Sequence, residues 1–185
     1  MSFDQAPRNV RQELLDDVRN AIWACRRGED ACAIVCFSDL KDVYNGRLQD
    51  IQTIARLTTE QATEVHTHML KLFSFFVILP APLEWFDLFQ SLFFAETPHS
   101  QFQDEQMPLP EALATNLKLE PFLYRWPEQY LFIPAVIKFG NDKPQLIPDK
   151  RIRLPYLESL GKYDGGFGGV KVHEICALAL NQIFS

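Results

Sequence analysis

The chain is 185 residues long, enough for one ordinary domain or for a domain with part of a second. Hydrophobic residues make up 47% and charged residues 23%, a balance that supports a packed core and excludes global disorder. A formal net charge of −6, with no run of Lys or Arg longer than two, excludes an electrostatic nucleic-acid surface.

Residues 7–27 read as the first helix. Val10, Leu14, Leu15, Val18, Ile22 and Cys25 recur along one stripe with charges opposite. Pro7 suits the first turn, Arg26 and Arg27 complement the dipole at the far end, and Gly28 supplies a stop. Residues 31–44 admit two readings. Their apolar start fits a short strand, whereas Phe37, Leu40, Val43 and Tyr44 fit a helix ended by Asn45-Gly46. Residues 48–57 form another short helical piece. Over 58–79 the pattern predicts a single helix: Thr58 and Gln61 have capping-box spacing, and Ala62, Val65, Met69, Leu72, Phe73 and Phe76 make a continuous apolar face. Pro80 ends it for want of an amide. A helix over 82–94 follows, with Leu83, Phe86, Phe89 and Phe93 inward, and the short Pro-Ala-Pro turn implies an antiparallel pair.

The apolar run from Leu72 is interrupted by Pro80, Pro82, Glu84 and Asp87, so it reads as a buried helix and not a membrane span. With a polar N-terminus and no secretory leader, the expected compartment is cytoplasmic, with Cys25, Cys32, Cys36 and Cys176 reduced. Residues 95–110 are acidic and proline-bearing and read as a surface loop, with Asp104 and Glu105 as solvated charges. Helix returns in pieces over 111–119 and 121–130, where Pro127 predicts a break or a restart. Residues 133–153 read as an extended linker or hairpin around Gly140-Asn141-Asp142, and strands are expected at 154–160 and 170–175.

Between those strands lies Tyr163-Asp164-Gly165-Gly166-Phe167-Gly168-Gly169-Val170. Residues without a Cβ reach unusual backbone angles and bring amides close to phosphate oxygens, which is one use of such a segment. A glycine-rich hairpin turn without a ligand is the other. The residues alone leave both open.

Several separated pieces occur in a suggestive order. These are Lys71-Leu72-Phe73-Ser74-Phe75-Phe76-Val77-Ile78-Leu79, Asp104-Glu105-Gln106-Met107-Pro108-Leu109, Trp126 with Phe132-Ile133-Pro134-Ala135-Val136, and Leu154-Pro155-Tyr156-Leu157-Glu158 ahead of Gly165-Gly166-Phe167-Gly168. Together, over roughly the last two-thirds of the chain, they resemble the region that precedes and enters the kinase domain of fungal protein-kinase-like proteins. The resemblance implies an α+β fold: a mainly α-helical region over 1–132, a linker over 133–153, and over 154–185 short β-hairpins like the start of a protein-kinase N-lobe. It also implies a remnant ATP-binding surface at Leu160, Gly161, Gly165, Gly166, Phe167, Gly168 and Val170.

Departures from that family are equally informative. Lys162-Tyr163-Asp164 makes the loop irregular, and Ala177-Leu178-Ala179 has Ala where the phosphate-pairing lysine belongs. No His-Arg-Asp loop or Asp-Phe-Gly site occurs, so the resemblance implies a truncated protein without phosphoryl transfer. No catalytic residue and no metal ligand is assigned. Cys25, Cys32 and Cys36 with His66 or His68 lack paired C-x-x-C spacing, and small buried hydrophobes are the expected role for the cysteines. Two further readings stand beside the first. One is a non-enzymatic helical interaction or regulatory module that takes a protein partner through the aromatic face of 73–94 with Trp126 and Tyr130. The other is an incomplete stretch of a longer product.

Overall fold

A computed structural model of the chain describes residues 10–27, 33–80, 83–95, 102–110, 120–133, 156–165 and 168–175; for 120–124 and the last two segments it describes the backbone alone. In chain order the elements are α1 (Val10–Ala24), α2 (Phe37–Val43), α3 (Leu48–Ala55), α4 (Thr59–His68), α5 (Leu70–Ile78) and α6 (Glu84–Phe93), then a 3-10 turn (Asp104–Gln106) and a 3-10 helix (Glu120–Leu131). Two backbone strands follow, β1 (Tyr156–Gly165) and β2 (Gly168–Ile175). The chain divides into two compact units, Met1–Ala24 with Lys41–Met107 and Cys25–Leu40 with Pro108–Ser185.

The first unit is built around α5. Eight of its nine residues are buried, Lys71 excepted, so it is apolar on every side as a core helix must be. α1 lies against α5 and α3, burying Leu15, Val18 and Ile22, while α3 lies against α4 and α6. Asn45-Gly46 turns the chain into α3, with Gly46 at φ +74° where a side chain would be strained. Arg56 closes α3 in the left-handed region at φ 52°. The core of the unit is aromatic. The Phe73 ring stands edge-on to Tyr44, Phe86 and Phe89, and Phe76 stands edge-on to Phe89 and Phe93. Each such pair contributes about 0.5–1.5 kcal/mol beyond area burial. These contacts advance in the same sense along α5 and α6, so the two helices do not zip as the antiparallel pair expected.

Two other expectations change in this unit. The single helix predicted over 58–79 is broken at Met69, whose backbone (φ −131°, ψ 26°) leaves the helical region and separates α4 from α5. The 95–110 segment is more than a surface loop: Met107 is buried, and Asp104 is tied to α5.

In the second unit, Arg27 and Ile34 form one antiparallel bridge (2.9 and 2.8 Å), and Val35 donates to the Leu131 carbonyl at 2.8 Å. The Arg27 guanidinium holds both Asp39 oxygens at 2.9 and 2.8 Å. Leu109 is gripped on both sides of its backbone: its N–H donates to Gln129 Oε1, and its carbonyl accepts from Gln129 Nε2 at 3.2 Å and Trp126 Nε1 at 3.1 Å. The 3-10 helix continues across Pro127, where the sequence predicted a break or a restart. The same i→i+3 pattern runs to its end, as in the 3.1 Å bond from the Phe132 N–H to the Gln129 carbonyl.

The α+β class is corrected by this structure to a helical fold. Among the residues whose side chains are described, the apolar ones that leave water do so from helices and the loops between them. The apolar start at 33–36, which could have been a strand, makes a single bridge before α2 begins. A kinase-like lobe needs a sheet with a buried face, and the two paired backbone strands among the described residues are too few to supply one. Residues 134–153, the rest of the expected linker or hairpin, lie outside the described residues, as do 111–119, Gly28, Cys32 and Cys176.

Candidate functional site

The glycine residues singled out in the sequence fall on the paired backbone of β1 and β2. Gly165 stands opposite Gly168, Tyr163 opposite Val170 and Gly161 opposite Val172. Leu160 falls at a register shift between Ser159 and Gly161. Gly166 and Phe167 lie outside the described residues. The register brings Gly165 and Gly168 together; it carries no further geometry at that site.

Better-defined chemistry lies in the first unit, and it begins at the N-terminus of α5. A helix start leaves amides without intrahelical partners. Met69, at the cap position, has no side-chain acceptor of its own for them. The Asp104 carboxylate supplies it: Oδ2 accepts from the Lys71 N–H and Oδ1 from the Leu72 N–H, both at 3.0 Å. These are the second and third helical positions, the ones an ordinary N-cap side chain serves. Burial is the largest influence on Asp104 and raises its pKa; the two amides and the Lys71 charge pull it down, and Glu105 pushes it up. Asp104 is therefore a partner of α5 and not the solvated charge expected.

The C-terminal ends of α3 and α5 are served by two arginines of α1, one of which also reaches Leu83 ahead of α6. Arg11 donates to the Ile54 carbonyl at 2.7 Å and the Leu83 carbonyl at 3.2 Å, and pairs with Asp87 at 2.6 Å. Arg19 donates to the carbonyls of Val77 (2.8 Å) and Leu79 (3.2 Å) and pairs with Asp16 at 2.7 Å. Inside, Ser74 Oγ lies 3.2 Å from the Tyr44 hydroxyl and 2.6 Å from the Leu70 carbonyl. Burial pushes the Tyr44 pKa upward, only partly opposed by Ser74 and Arg47. That hydroxyl stays protonated as a structural link.

An open groove of about 310 Å³ runs between α4 and α6, lined by Gln61, Asp87, Gln90, Ser91, Phe94 and Ala95. Gln90 Nε2 donates to Gln61 Oε1 at 3.1 Å across it, and Arg56 approaches Asp87 to 3.4 Å at its edge. Amide, carboxylate and hydroxyl groups beside the half-buried Phe94 ring suit hydrogen bonding to an extended or flexible ligand. Sequence reasoning did not find this site, because its residues come from two helices and share no motif.

The aromatic face proposed for a partner is core: Phe73, Phe75, Phe76, Phe86, Phe89 and Phe93 are buried, as are Trp126 and Tyr130. Cys25 is half-buried and Cys36 buried, and no cluster of three metal-ligating side chains occurs among the described residues. Among those residues, no helix is long and apolar enough to cross a membrane. No protein-family model matches the chain, and no curated protein or solved structure matches it. The kinase-like reading thus stands on its sequence motifs alone.

Proposed function

We propose that this chain is a non-enzymatic helical module that works by binding a protein partner at the α4–α6 groove. The observation that carries this reading is the groove itself, where Gln61, Gln90 and Ser91 bring amide and hydroxyl groups together on a face open to solvent. Gln61 Oε1 also caps α4 and accepts from Gln90, and Ser91 donates to the Leu88 carbonyl, so a ligand there would add to bonds already made or exchange with them. Site-specific photo-crosslinking tests the reading. A photoreactive residue at Ser91 should give a defined adduct in cells that Gln90→Arg abolishes, while one at exposed Asp17 gives none. Equal labelling at both positions, or an adduct insensitive to Gln90→Arg, refutes the groove.

A second reading, a remnant nucleotide-binding loop of a truncated kinase-like protein, rests on the sequence motifs and on the pairing of Gly165 with Gly168. ATP would then contact Leu160, Gly161, Gly165, Gly166, Phe167, Gly168 and Val170. Amide resonances of Gly165 and Gly168 that do not move when ATP is titrated in would dismiss it.

A further inference from the structure

We propose that Asp104–Gln106 is a strap that holds a bend between α4 and α5, two parts of a helix whose sequence pattern would otherwise run straight. Ala62, Val65, Met69, Leu72, Phe73 and Phe76 keep helical spacing across the break, and all six are buried. Around the bend some of the helical ladder survives: Met69 N–H reaches the Val65 carbonyl at 3.0 Å, and Phe73 N–H reaches Met69 at 2.8 Å. Between them, the amides of Lys71 and Leu72 would meet the carbonyls of Thr67 and His68 in a straight helix. Here both go to Asp104 instead. The same segment also reaches α4, because Gln103 Nε2 lies 3.5 Å from Glu64 Oε1. It is stiffened by reciprocal bonds between Gln103 and Gln106 and anchored beyond by buried Met107. The strap therefore touches both sides of the bend.

Which side moves follows from burial. α5 is enclosed along its length, whereas α4 buries only Ala62 and Val65 of its ten residues. Release of Asp104 lets Lys71 and Leu72 pair with Thr67 and His68, and α4 realigns on α5. Gln61 lies on α4, so the bend also sets the wall of the groove; that clause alone rests on the binding reading above.

Backbone NMR of the full chain tests the strap. In Asp104→Ala, the carbon shifts of Met69 should become helical, and the Lys71 and Leu72 amides should stay protected from exchange. The proposal is overturned if those amides lose protection while Met69 keeps its wild-type shifts, the result for a cap that is structural only. It is overturned equally if nothing changes. Should the Ala variant not fold, Asp104→Asn serves. Its amide keeps one acceptor and opposes the other N–H, so Met69 should populate both positions; a single wild-type Met69 signal would refute the strap. Crosslinking at the groove is read on the chain with Asp104 intact, so the two readings fail separately.

Discussion

α4 and α5 follow each other with one residue between them, yet their N-termini are closed by opposite means. α4 is capped from within its own sequence. Thr58 Oγ1 accepts from the Gln61 N–H at 3.2 Å, and Gln61 Oε1 accepts from the Thr58 N–H at 3.1 Å. α5 borrows its acceptor from Asp104, which lies 33 residues beyond Lys71. The difference follows from environment. α4 is half exposed, so a hydroxyl at its start stays wet whether or not it bonds. α5 is enclosed, and a polar cap at position 69 would sit where Met69, only 3% exposed, now packs. A core helix gains more from an apolar residue there and takes its acceptor from a neighbouring segment.

The largest expected effect compares the size of what each helix buries. Phe73→Ala removes a fully buried ring with three edge-on neighbours and should cost about 3–5 kcal/mol, read as a shift in urea midpoint at constant slope. Val65→Ala on α4 should cost roughly 2 kcal/mol. Equal losses would mean that α5 is not the centre of the unit.

Next in size is the pair of caps. Asp104→Ala replaces two charge-assisted bonds to the carboxylate by ordinary helical ones and moves α4, and should cost about 1–3 kcal/mol in the same measurement. Thr58→Ala removes one exposed bond of the box and should cost about 1 kcal/mol. If Thr58→Ala costs more than Asp104→Ala, the borrowed cap is the lesser of the two and the comparison is reversed.

The same contrast explains what could be read from the sequence. The capping box was legible because both partners lie within one turn, and the inward stripe of Leu15, Val18 and Ile22 was legible because burial repeats at 3.6 residues. The bend was not: Met69 continues the apolar stripe in either arrangement, and the atom that stabilises the break belongs to a segment with no periodicity. The arginines of α1 escaped for a related reason. Arg11 and Arg19 look like an exposed polar face until the carbonyls they reach are placed beside them. The α+β reading failed because a glycine string and short β-prone runs say nothing of whether a second layer exists to bury a sheet. The groove needed two helices to be brought together, and no local pattern at Gln61, Gln90 or Ser91 announces that.

The smallest prediction concerns charge, and its two arms have opposite signs. Glu60, exposed in the first turn of α4, is held below its ordinary 4.5 by its own backbone N–H and by Thr58. A depressed carboxyl contributes stability that is present above its ordinary value and lost as pH falls through the folded one. Asp104 is raised above its ordinary 3.8, burial outweighing its amides and Lys71, with Glu105 beside it and Glu64 reached through Gln103. Its contribution is present below 3.8 and is lost as pH rises through the raised value. Urea midpoints from about pH 3 to about pH 7 should therefore diverge. Wild type gains on Glu60→Gln as pH rises and loses ground to Asp104→Asn over the same range. Parallel slopes would show that the two helix starts are electrically alike, and that burial does not govern how α5 holds its borrowed carboxylate.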